Sequence, residues 1–341
     1  MKKTKIVLAL LCCLALTLTG CASQKTSEEQ LTKITLGEVA HSVFYAPQYV
    51  ALEKGFFAAE GLEIDLINLQ GADKVMSALI TNEIQIGLMG PEASVYVANQ
   101  NLDDYAINFA QLTQRDGSFF VGREPWENFT FDQLTEAEII GGRKGGAPEM
   151  TLEYVLKSNG LDIAVDDETQ PINVRTDIQF AAMAGAFLSG EGDYVALFEP
   201  TATAVEKEGR GYILTAIGAH SGDIPFTTYS AAKSYLESNP EIIQKFTNAV
   251  YQGQLFVKNN DAATIAEIIH PHFEDISLED LTTVVERYQS IDAWDDTPIL
   301  EKSGLEKLMD VMALAGELDK RADYNMIVNT TFAERAVQEN K

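Results

Sequence analysis

Cysteine is scarce in this sequence and is confined to its amino-terminal end. The chain of 341 residues has three cysteines, which all lie within its first 21 positions: Cys12, Cys13 and Cys21. The rest of the chain can therefore form no disulfide and no thiolate metal site. We predict that the folded protein uses neither a metal ion nor a cofactor.

Basic residues are also few relative to acidic ones. Lysine and arginine together number 25, against 51 aspartates and glutamates, which gives a formal net charge of −26. Nucleic-acid phosphates would meet an overall negative field, so nucleic acid is excluded as a partner. Hydrophobic residues make up 46% of the chain and charged residues 22%, which is typical of a folded protein rather than a disordered one.

Only the amino terminus carries a marked apolar run. Lys2, Lys3 and Lys5 precede an apolar stretch over residues 6–18, which is too short to cross a bilayer. The sequence Leu-Thr-Gly-Cys that ends at Cys21 resembles the lipobox of bacterial lipoproteins. This resemblance implies that a signal peptide is removed and that a lipid is attached to Cys21. An ordinary cleaved signal with an incidental cysteine is the alternative.

The resemblance to lipoproteins also gives the first boundaries. It implies a signal peptide over residues 1–20. Residues 21–32 are polar and predict a flexible tether between the lipid and the fold. We therefore expect an extracytoplasmic protein that is anchored to the cell membrane by lipid.

Residues 34–69 predict a strand, a helix and a second strand. Ile34 and Leu36 suit a buried strand, Pro47 fits the first turn of a helix, and Gly55 follows the end of that helix. A second apolar run then begins at Leu62. The unit predicts parallel strands joined by a right-handed crossover, and similar patterns later in the chain predict an α/β fold of mixed sheets flanked by helices.

Two lobes are expected because 341 residues exceed what one hydrophobic core usually serves. Polar, turn-rich breaks predict crossings between the lobes near residues 113–118 and 220–225. The predicted boundaries place residues 33–116 and 222–341 in a discontinuous lobe 1 and residues 117–221 in lobe 2. The mostly helical segment from residue 232 onward is expected to pack around lobe 1.

The predicted site lies beyond the carboxyl ends of the strands, where open α/β sheets bind their ligands. In the first unit this position predicts ligand contacts from four residues: His41, Ser42, Phe44 and Tyr45. Residues 78–95 and 186–205 echo each other, since both contain a buried strand followed by a proline that opens a helix. This echo predicts that Gly90, Glu92 and Glu199 face a common cleft.

A glycine-rich loop, Gly-Gly-Arg-Lys-Gly-Gly at residues 141–146, precedes a predicted helix. Backbone N–H groups near Gly145 and Gly146 could bind a polar or anionic part of a ligand. The loop is not a phosphate-binding Walker motif, because Ala147 and Pro148 follow it instead of lysine and serine or threonine. The alternative is a tight turn whose two cations are solvated.

Aromatic residues accompany these strand ends and crossings. The rings are Phe44, Tyr45, Phe198, Phe226 and Tyr229. They could enclose a flat heterocycle whose amino groups donate hydrogen bonds to Ser42, Glu92 or Glu199. Packing in the core is the alternative for each ring. Tyr45 and Glu199 are the preferred contacts, because a charge just after an apolar strand is costly to bury without a partner.

Together, several segments resemble the solute-binding proteins of ABC importers. They are the lipobox, the stretch HSVFYAPQYVALEKGFFAAEGLEIDL, the turn GLMGPEA, the stretch GGRKGGAPEMTLEYVLKSNG and the strand end ALFEP. The resemblance is to the family that binds sulfonates, taurine, nitrate and thiamine-precursor pyrimidines. It implies a two-lobed fold of the second periplasmic-binding type that closes on a small molecule and delivers it to a membrane permease. We expect a monomer.

The ligand and the activity are predicted within this family. The aromatic and acidic candidates favour an amino-heterocycle such as a thiamine pyrimidine precursor, whereas Arg143 and the glycine loop favour a sulfonate or carboxylate. Enzymes share the fold, so an enzyme acting on a small heterocycle or acid is the alternative class. The pyrimidine-forming type relies on a cysteine-rich stretch that this chain lacks. We predict a binder, serving an importer or a sensor.

Overall fold

The computed structural model describes residues 31–100 and 102–340. The predicted signal peptide, Cys21 and nearly all of the predicted tether lie outside the described residues, so these amino-terminal assignments stay predictions. In the part of the chain that is described, no helix combines the length and the apolar character that a membrane span requires.

The first sheet has five strands in the order β2-β1-β3-β11-β4 among the described residues. Strands β1, β2 and β3 are parallel, and β11 runs antiparallel between β3 and β4. The strand bounds are β1 Thr32–Glu38, β2 Leu62–Asn68, β3 Ile86–Met89, β4 Ala106–Thr113 and β11 Thr227–Ala232.

The second sheet has six strands in the order β10-β5-β9-β6-β8-β7 among the described residues. Strands β6, β7, β8 and β9 are parallel neighbours, and β5 is antiparallel to both β9 and β10. The strand bounds are β5 Ser118–Gly122, β6 Ala137–Ile140, β7 Ala164–Val165, β8 Ile172–Arg175, β9 Tyr194–Phe198 and β10 Tyr212–Ala216. Two mixed sheets flanked by helices confirm the predicted fold class.

The α-helices lie on the faces of the two sheets and become frequent after β11. Short 3-10 turns occupy Val43–Tyr45, Phe131–Gln133, Phe180–Ala182 and His270–His272. The helix bounds are α1 Ala46–Glu53, α2 Phe56–Ala59, α3 Ala72–Ile80, α4 Glu92–Ala98, α5 Ala147–Ser158, α6 Met183–Ser189, α7 Thr201–Lys207, α8 Gly218–Ser221, α9 Lys233–Ser238, α10 Pro240–Asn259, α11 Ala262–Ile269, α12 Leu278–Ser290, α13 Lys302–Leu314, α14 Tyr324–Ile327 and α15 Thr331–Glu339.

The opening unit β1-α1-β2 has the predicted arrangement. Ile34 and Leu36 of β1 are buried, and β1 pairs in parallel with β2 so that Ile34 lies opposite Ile64. Helix α1 has Pro47 in its first turn, where the missing N–H removes no intrahelical hydrogen bond. The unit therefore brings the carboxyl end of β1 and the start of α1 to one edge of the first sheet.

The chain passes between the sheets twice. Strand β4 ends at Thr113 in the first sheet and β5 begins at Ser118 in the second, while the return runs between β10 and β11. Strand β11 was not predicted, because Thr228 and Ser230 make its sequence polar although both are buried. Their hydroxyls donate to Asn108 Oδ1 of β4 at 2.7 and 2.8 Å, which satisfies them inside the sheet.

The carboxyl-terminal helices also contact elements around the second sheet. Helix α12 reaches α7 of the second sheet, since the Arg287 guanidinium lies 2.7 Å from carboxylate oxygens of both Glu199 and Glu206. At the end of α13, the Leu314 carbonyl accepts a hydrogen bond from Lys157 of α5 at 3.2 Å. These helices connect the two sheets in addition to the two chain crossings.

Helix α10 packs directly on α1, and this contact gives a test of the fold. A Cβ atom at Gly253 would lie 2.2 Å from the Pro47 carbonyl oxygen, whereas a Cβ at Gly185 of α6 would meet no heavy atom within 4 Å. We expect Gly253→Ala to lower the free energy of unfolding by about 1–3 kcal/mol through overpacking. Gly185→Ala should raise it by up to about 1 kcal/mol, since alanine favours helices.

Urea unfolding followed by circular dichroism measures both variants. Equal stability of the two proteins would contradict the close approach of α10 and α1.

Candidate ligand-binding site

A cavity lies where the carboxyl ends of strands from both sheets meet. Its volume is about 890 Å³ when the part open to solvent is included. The sequence-predicted residues in its lining are Ser42, Phe44, Tyr45, Gly90, Glu92, Gly146 and Phe198. The predicted residues that lie outside the lining are His41, Gly145, Glu199 and Tyr229.

Each wall of the cavity follows from a strand end. Residues 39–45 follow β1, residues 90–92 follow β3, and residues 141–149 follow β6. Phe198 is the last residue of β9. Parallel strands place their carboxyl ends at the same edge of a sheet, so segments far apart in sequence converge on one cavity.

Glu92 is the buried charge of this cavity. It is the first residue of α4 and its side chain is 3% exposed. Its Oε1 accepts a long hydrogen bond of 3.4 Å from the Ala147 N–H of α5, whereas its Oε2 is buried without a hydrogen-bond partner. Burial raises the pKa of Glu92 to about 6, although backbone N–H groups and the Arg143 charge favour the ionised form.

Gly90 is required by the position of that carboxylate. A Cβ atom at residue 90 would lie 1.9 Å from Glu92 Oε2. The carboxylate therefore folds back over the bare backbone of Gly90, and any larger residue there would displace it. The Gly-Pro-Glu sequence after β3 thus holds Glu92 at the cavity wall.

The glycine loop does not offer the free amide groups that the sequence predicted. The Gly145 N–H donates to Glu149 Oε2 at 3.0 Å, the Gly146 N–H donates to the Arg143 carbonyl at 3.1 Å, and the Ala147 N–H faces Glu92. The carboxyl groups of Glu149 and Glu92 thus occupy the position that an anion would take at the start of α5. Gly145 also lies outside the cavity lining, and its carbonyl accepts a hydrogen bond from the Tyr96 hydroxyl at 2.9 Å.

Glu149 is a second buried carboxyl in the cavity wall. Burial and the neighbouring Glu153 raise the pKa of Glu149 to about 9, so it is neutral at pH 7. Glu153 in turn forms a salt bridge with Lys157, with 2.5 Å between Glu153 Oε2 and Lys157 Nζ. Of the two carboxyls that line the cavity, Glu92 is therefore the one that ionises near neutral pH.

Aromatic rings form the apolar side of the cavity. Phe44 contacts Phe198 and Phe226 edge-on, with ring centroids 5.5 and 5.8 Å apart. Phe180 adds a ring 5.6 Å from Phe198 and is 45% exposed. Phe180 and Met183 line the cavity but were not predicted as contacts, although they follow the end of β8 at Arg175. Nothing in the local sequence distinguishes them from core residues.

Glu199, a preferred contact at the sequence level, is engaged elsewhere. Its Oε2 accepts from the Thr203 N–H at 2.8 Å, and its Oε1 accepts from the Thr203 hydroxyl at 2.8 Å and from Arg287 at 2.7 Å. The carboxylate thus joins α7 to α12. The Glu199 backbone carbonyl accepts a hydrogen bond from Ser42 Oγ at 2.7 Å, which connects the two strand ends.

His41 and Tyr229 also serve the protein's own packing. The two ring nitrogens of His41 contact Glu38 Oε1 at 3.0 Å and the His272 carbonyl at 2.8 Å, and the hydrogen bond with Glu38 raises the pKa of His41. Tyr229 is fully buried in the first sheet and donates to Gln48 Oε1 at 3.0 Å. Among the described residues, no group of three or more His, Cys, Asp or Glu is placed to hold a metal ion.

Comparison with known proteins identifies relatives of the whole chain. A family model described as the NMT1-like family matches residues 27–270. The candidate binding protein YtlA of Bacillus subtilis (strain 168) is 44% identical over 312 residues, which span 92% of this chain and 92% of that protein.

Several solved structures share the fold at low sequence identity. The periplasmic nitrate-binding protein NrtA from Synechocystis PCC 6803 has a TM-score of 0.70 and 14% identity, covering 91% of this chain and 89% of its own. The alkanesulfonate-binding protein SsuA from Xanthomonas axonopodis pv. citri, bound to MOPS, has a TM-score of 0.67 and 17% identity. The match covers 88% of this chain and 98% of that protein's chain.

A desulfurization enzyme, DSZB, has a TM-score of 0.65 and 12% identity, covering 91% of this chain and 99% of its own. The fold is therefore shared by binding proteins and by an enzyme, and at these identities the likeness concerns the fold alone. The resemblance found in the sequence is confirmed for the family and the fold: the chain belongs to the NMT1-like family and has the fold of periplasmic solute-binding proteins.

Proposed function

We propose that this protein is the solute-binding component of an ABC importer and that it binds an aromatic amino-heterocycle, such as a thiamine pyrimidine precursor, in the cavity between the strand ends. The candidate binding protein YtlA and the periplasmic nitrate-binding and alkanesulfonate-binding proteins of the same fold support a binding role, and another protein of this fold, from Staphylococcus aureus, is the ligand-binding component of an ABC-type import system. We further propose that Cys21 carries a lipid that holds the protein at the outer face of the cell membrane, next to the permease.

One observation carries the choice of ligand, namely the buried Glu92 Oε2 without a hydrogen-bond partner. An unpartnered carboxylate oxygen is costly to bury, and an amino group supplies the N–H donor that it lacks. The amide groups of the glycine loop already bind protein acceptors, which disfavours a sulfonate or carboxylate at that loop. The aromatic rings of Phe44, Phe198 and Phe226 suit a flat ring beside that amino group.

We propose that the protein binds its ligand without converting it, as a binding protein and not as an enzyme. The cavity lining contains neither cysteine nor histidine, and its two carboxyls, Glu92 and Glu149, suit ligand recognition through one charged and one neutral group. Because the fold also serves an enzyme, this choice rests on the site and not on the fold.

Ligand binding would draw the two sides of the cavity together. Ser42 Oγ donates to the Glu199 carbonyl, and the Tyr96 hydroxyl donates to the Gly145 carbonyl at 2.9 Å, so strand ends of both sheets already contact each other. A ligand that touches both sides favours the closed arrangement over the open one. In this proposal the two sides are the lobes predicted from the sequence, with the chain crossings as hinges.

A thermal-shift screen of the mature protein tests the ligand class. The panel contains aminopyrimidines, flavin precursors, sulfonates and aromatic acids. We expect the aminopyrimidines to raise the melting temperature most, since a ligand at a hundred times its Kd adds about 2.7 kcal/mol of stability. A shift confined to sulfonates or acids would contradict the proposed ligand.

Two conservative variants test the role of Glu92. Glu92→Gln removes the charge that the ligand amine meets, and we expect it to weaken binding of the best aminopyrimidine roughly thirtyfold to a hundredfold, or about 2–3 kcal/mol. Glu149→Gln is the matched control, because Glu149 is already neutral at pH 7. It should change the Kd by less than about threefold. Isothermal titration calorimetry measures both, and equal losses in the two variants would count against Glu92.

The pKa of Glu92 predicts a pH dependence. In the free protein this carboxyl is protonated below about pH 6, and the proton must leave before the carboxylate can pair with a cation. Affinity for benzylamine, which is cationic throughout pH 5 to 8, should therefore be constant between pH 7 and 8 and should fall about tenfold per unit below pH 6. The Glu92→Gln variant should show no such fall. Wild-type affinity that stays constant down to pH 5 would refute this role.

A further inference from the structure

A second depression adjoins the cavity on the outer side of Glu92. It lies between α3 and α4 and has a volume of about 850 Å³ when open solvent is included. Ala72, Glu92 and Arg143 line both spaces. We call this depression the outer groove. The cavity and the outer groove therefore border each other at these three residues.

Arg143 is an exposed cation at this boundary. Within residues 31–100 and 102–340, its guanidinium forms neither an ion pair nor a hydrogen bond. The neighbouring Lys144 does form an ion pair, since its Nζ lies 3.8 Å from Glu317 Oε1. The positive charge of Arg143 lies close enough to Glu92 to favour its ionised form. A planar guanidinium with free donors matches the geometry of a carboxylate, sulfonate or phosphate.

Two acidic groups near Arg143 already have partners. Glu149 accepts from the Gly145 N–H, and Glu317 pairs with Lys144. Asp73 lines the outer groove, and its carboxylate lies beside Gly71 of the cavity lining, so an anion close to Asp73 would be repelled. The position for an anionic group is therefore beside the Arg143 guanidinium.

We propose that the ligand is dipolar: its aromatic ring occupies the cavity, its amino group binds Glu92 Oε2, and an anionic group a few bonds away binds Arg143 at the entrance of the outer groove. This inference rests on the proposed function and narrows its ligand class. It assigns the anion to the Arg143 side chain and not to the amide groups of the glycine loop, which the protein's own carboxyl groups occupy.

Matched ligand pairs test the inference at pH 8, where Glu92 is ionised. One pair is an aminopyrimidine methanol and its phosphate monoester, and the other is benzylamine and its para-sulfonated derivative. Isothermal titration calorimetry measures their Kd values for wild type, Arg143→Gln and Lys144→Gln. Lys144 is the matched control, since it neighbours Arg143 and pairs with Glu317.

In at least one pair, we expect the member with the anionic group to bind wild type roughly tenfold more tightly than its partner without that group. Arg143→Gln should remove that advantage, whereas Lys144→Gln should preserve it. Added salt should weaken only the anionic member, because the Arg143 contact is exposed to solvent.

The outcomes separate this inference from the proposed function. If the members without an anionic group bind but their anionic partners bind no better, or if Arg143→Gln weakens both members equally, the assignment of an anionic group to Arg143 is wrong and the proposed amino-heterocycle site is unaffected. If wild type binds none of the four compounds, the proposed ligand class fails and this inference fails with it.

Discussion

A buried carboxylate with one unpartnered oxygen is the constraint on which the site depends. An ionised carboxyl in an apolar wall costs several kcal/mol unless it is paired and hydrogen-bonded. The fold offsets part of that cost at Glu92 through the Ala147 N–H and the nearby Arg143 charge, and Gly90 provides the space for the carboxylate. The remaining cost is relieved only when a donor reaches Oε2. A ligand amine can then bind tightly, because folding has already removed water from the acceptor atom, Glu92 Oε2.

The topology places this group where a ligand can reach it from both sheets. Glu92 follows β3 of the first sheet, while Ala147 begins α5, which follows β6 of the second. The contact between them therefore depends on how the two sheets face each other. Helices α12 and α13 add further connections, through Arg287 to Glu199 and through Leu314 to Lys157. If these contacts break when the cavity opens, they stabilise the closed arrangement, and less of the ligand's binding energy is then needed for closure.

Much of the fold could be predicted from local patterns, and the reasons are visible in particular residues. Alternation at Ile34 and Leu36, the proline at the start of α1 and the rule that ligands bind at strand ends together led to Ser42, Phe44, Tyr45, Gly90, Glu92 and Phe198, which all line the cavity. In the two sequence echoes Glu92 follows Pro91 and Glu199 precedes Pro200, and both were predicted to face the cleft. What separates them is Arg287, which is 88 residues from Glu199 in the chain and satisfies its charge. No local pattern reveals such a partner.

Other features were missed for the same kind of reason. The polar residues of β11 are satisfied by Asn108 across the sheet, and Phe180 reaches the cavity from the 3-10 turn after β8. Periodicity reports which face of an element is buried, but long-range hydrogen bonds decide which polar groups stay free for a ligand.

A crystal structure of the protein with the aminopyrimidine that stabilises it most would test the central claim most directly. The account predicts a ligand amino nitrogen about 2.7–3.0 Å from Glu92 Oε2, with the ring against Phe44 and Phe198. A ligand whose nitrogen contacts another acceptor while Glu92 Oε2 stays without a partner would contradict it.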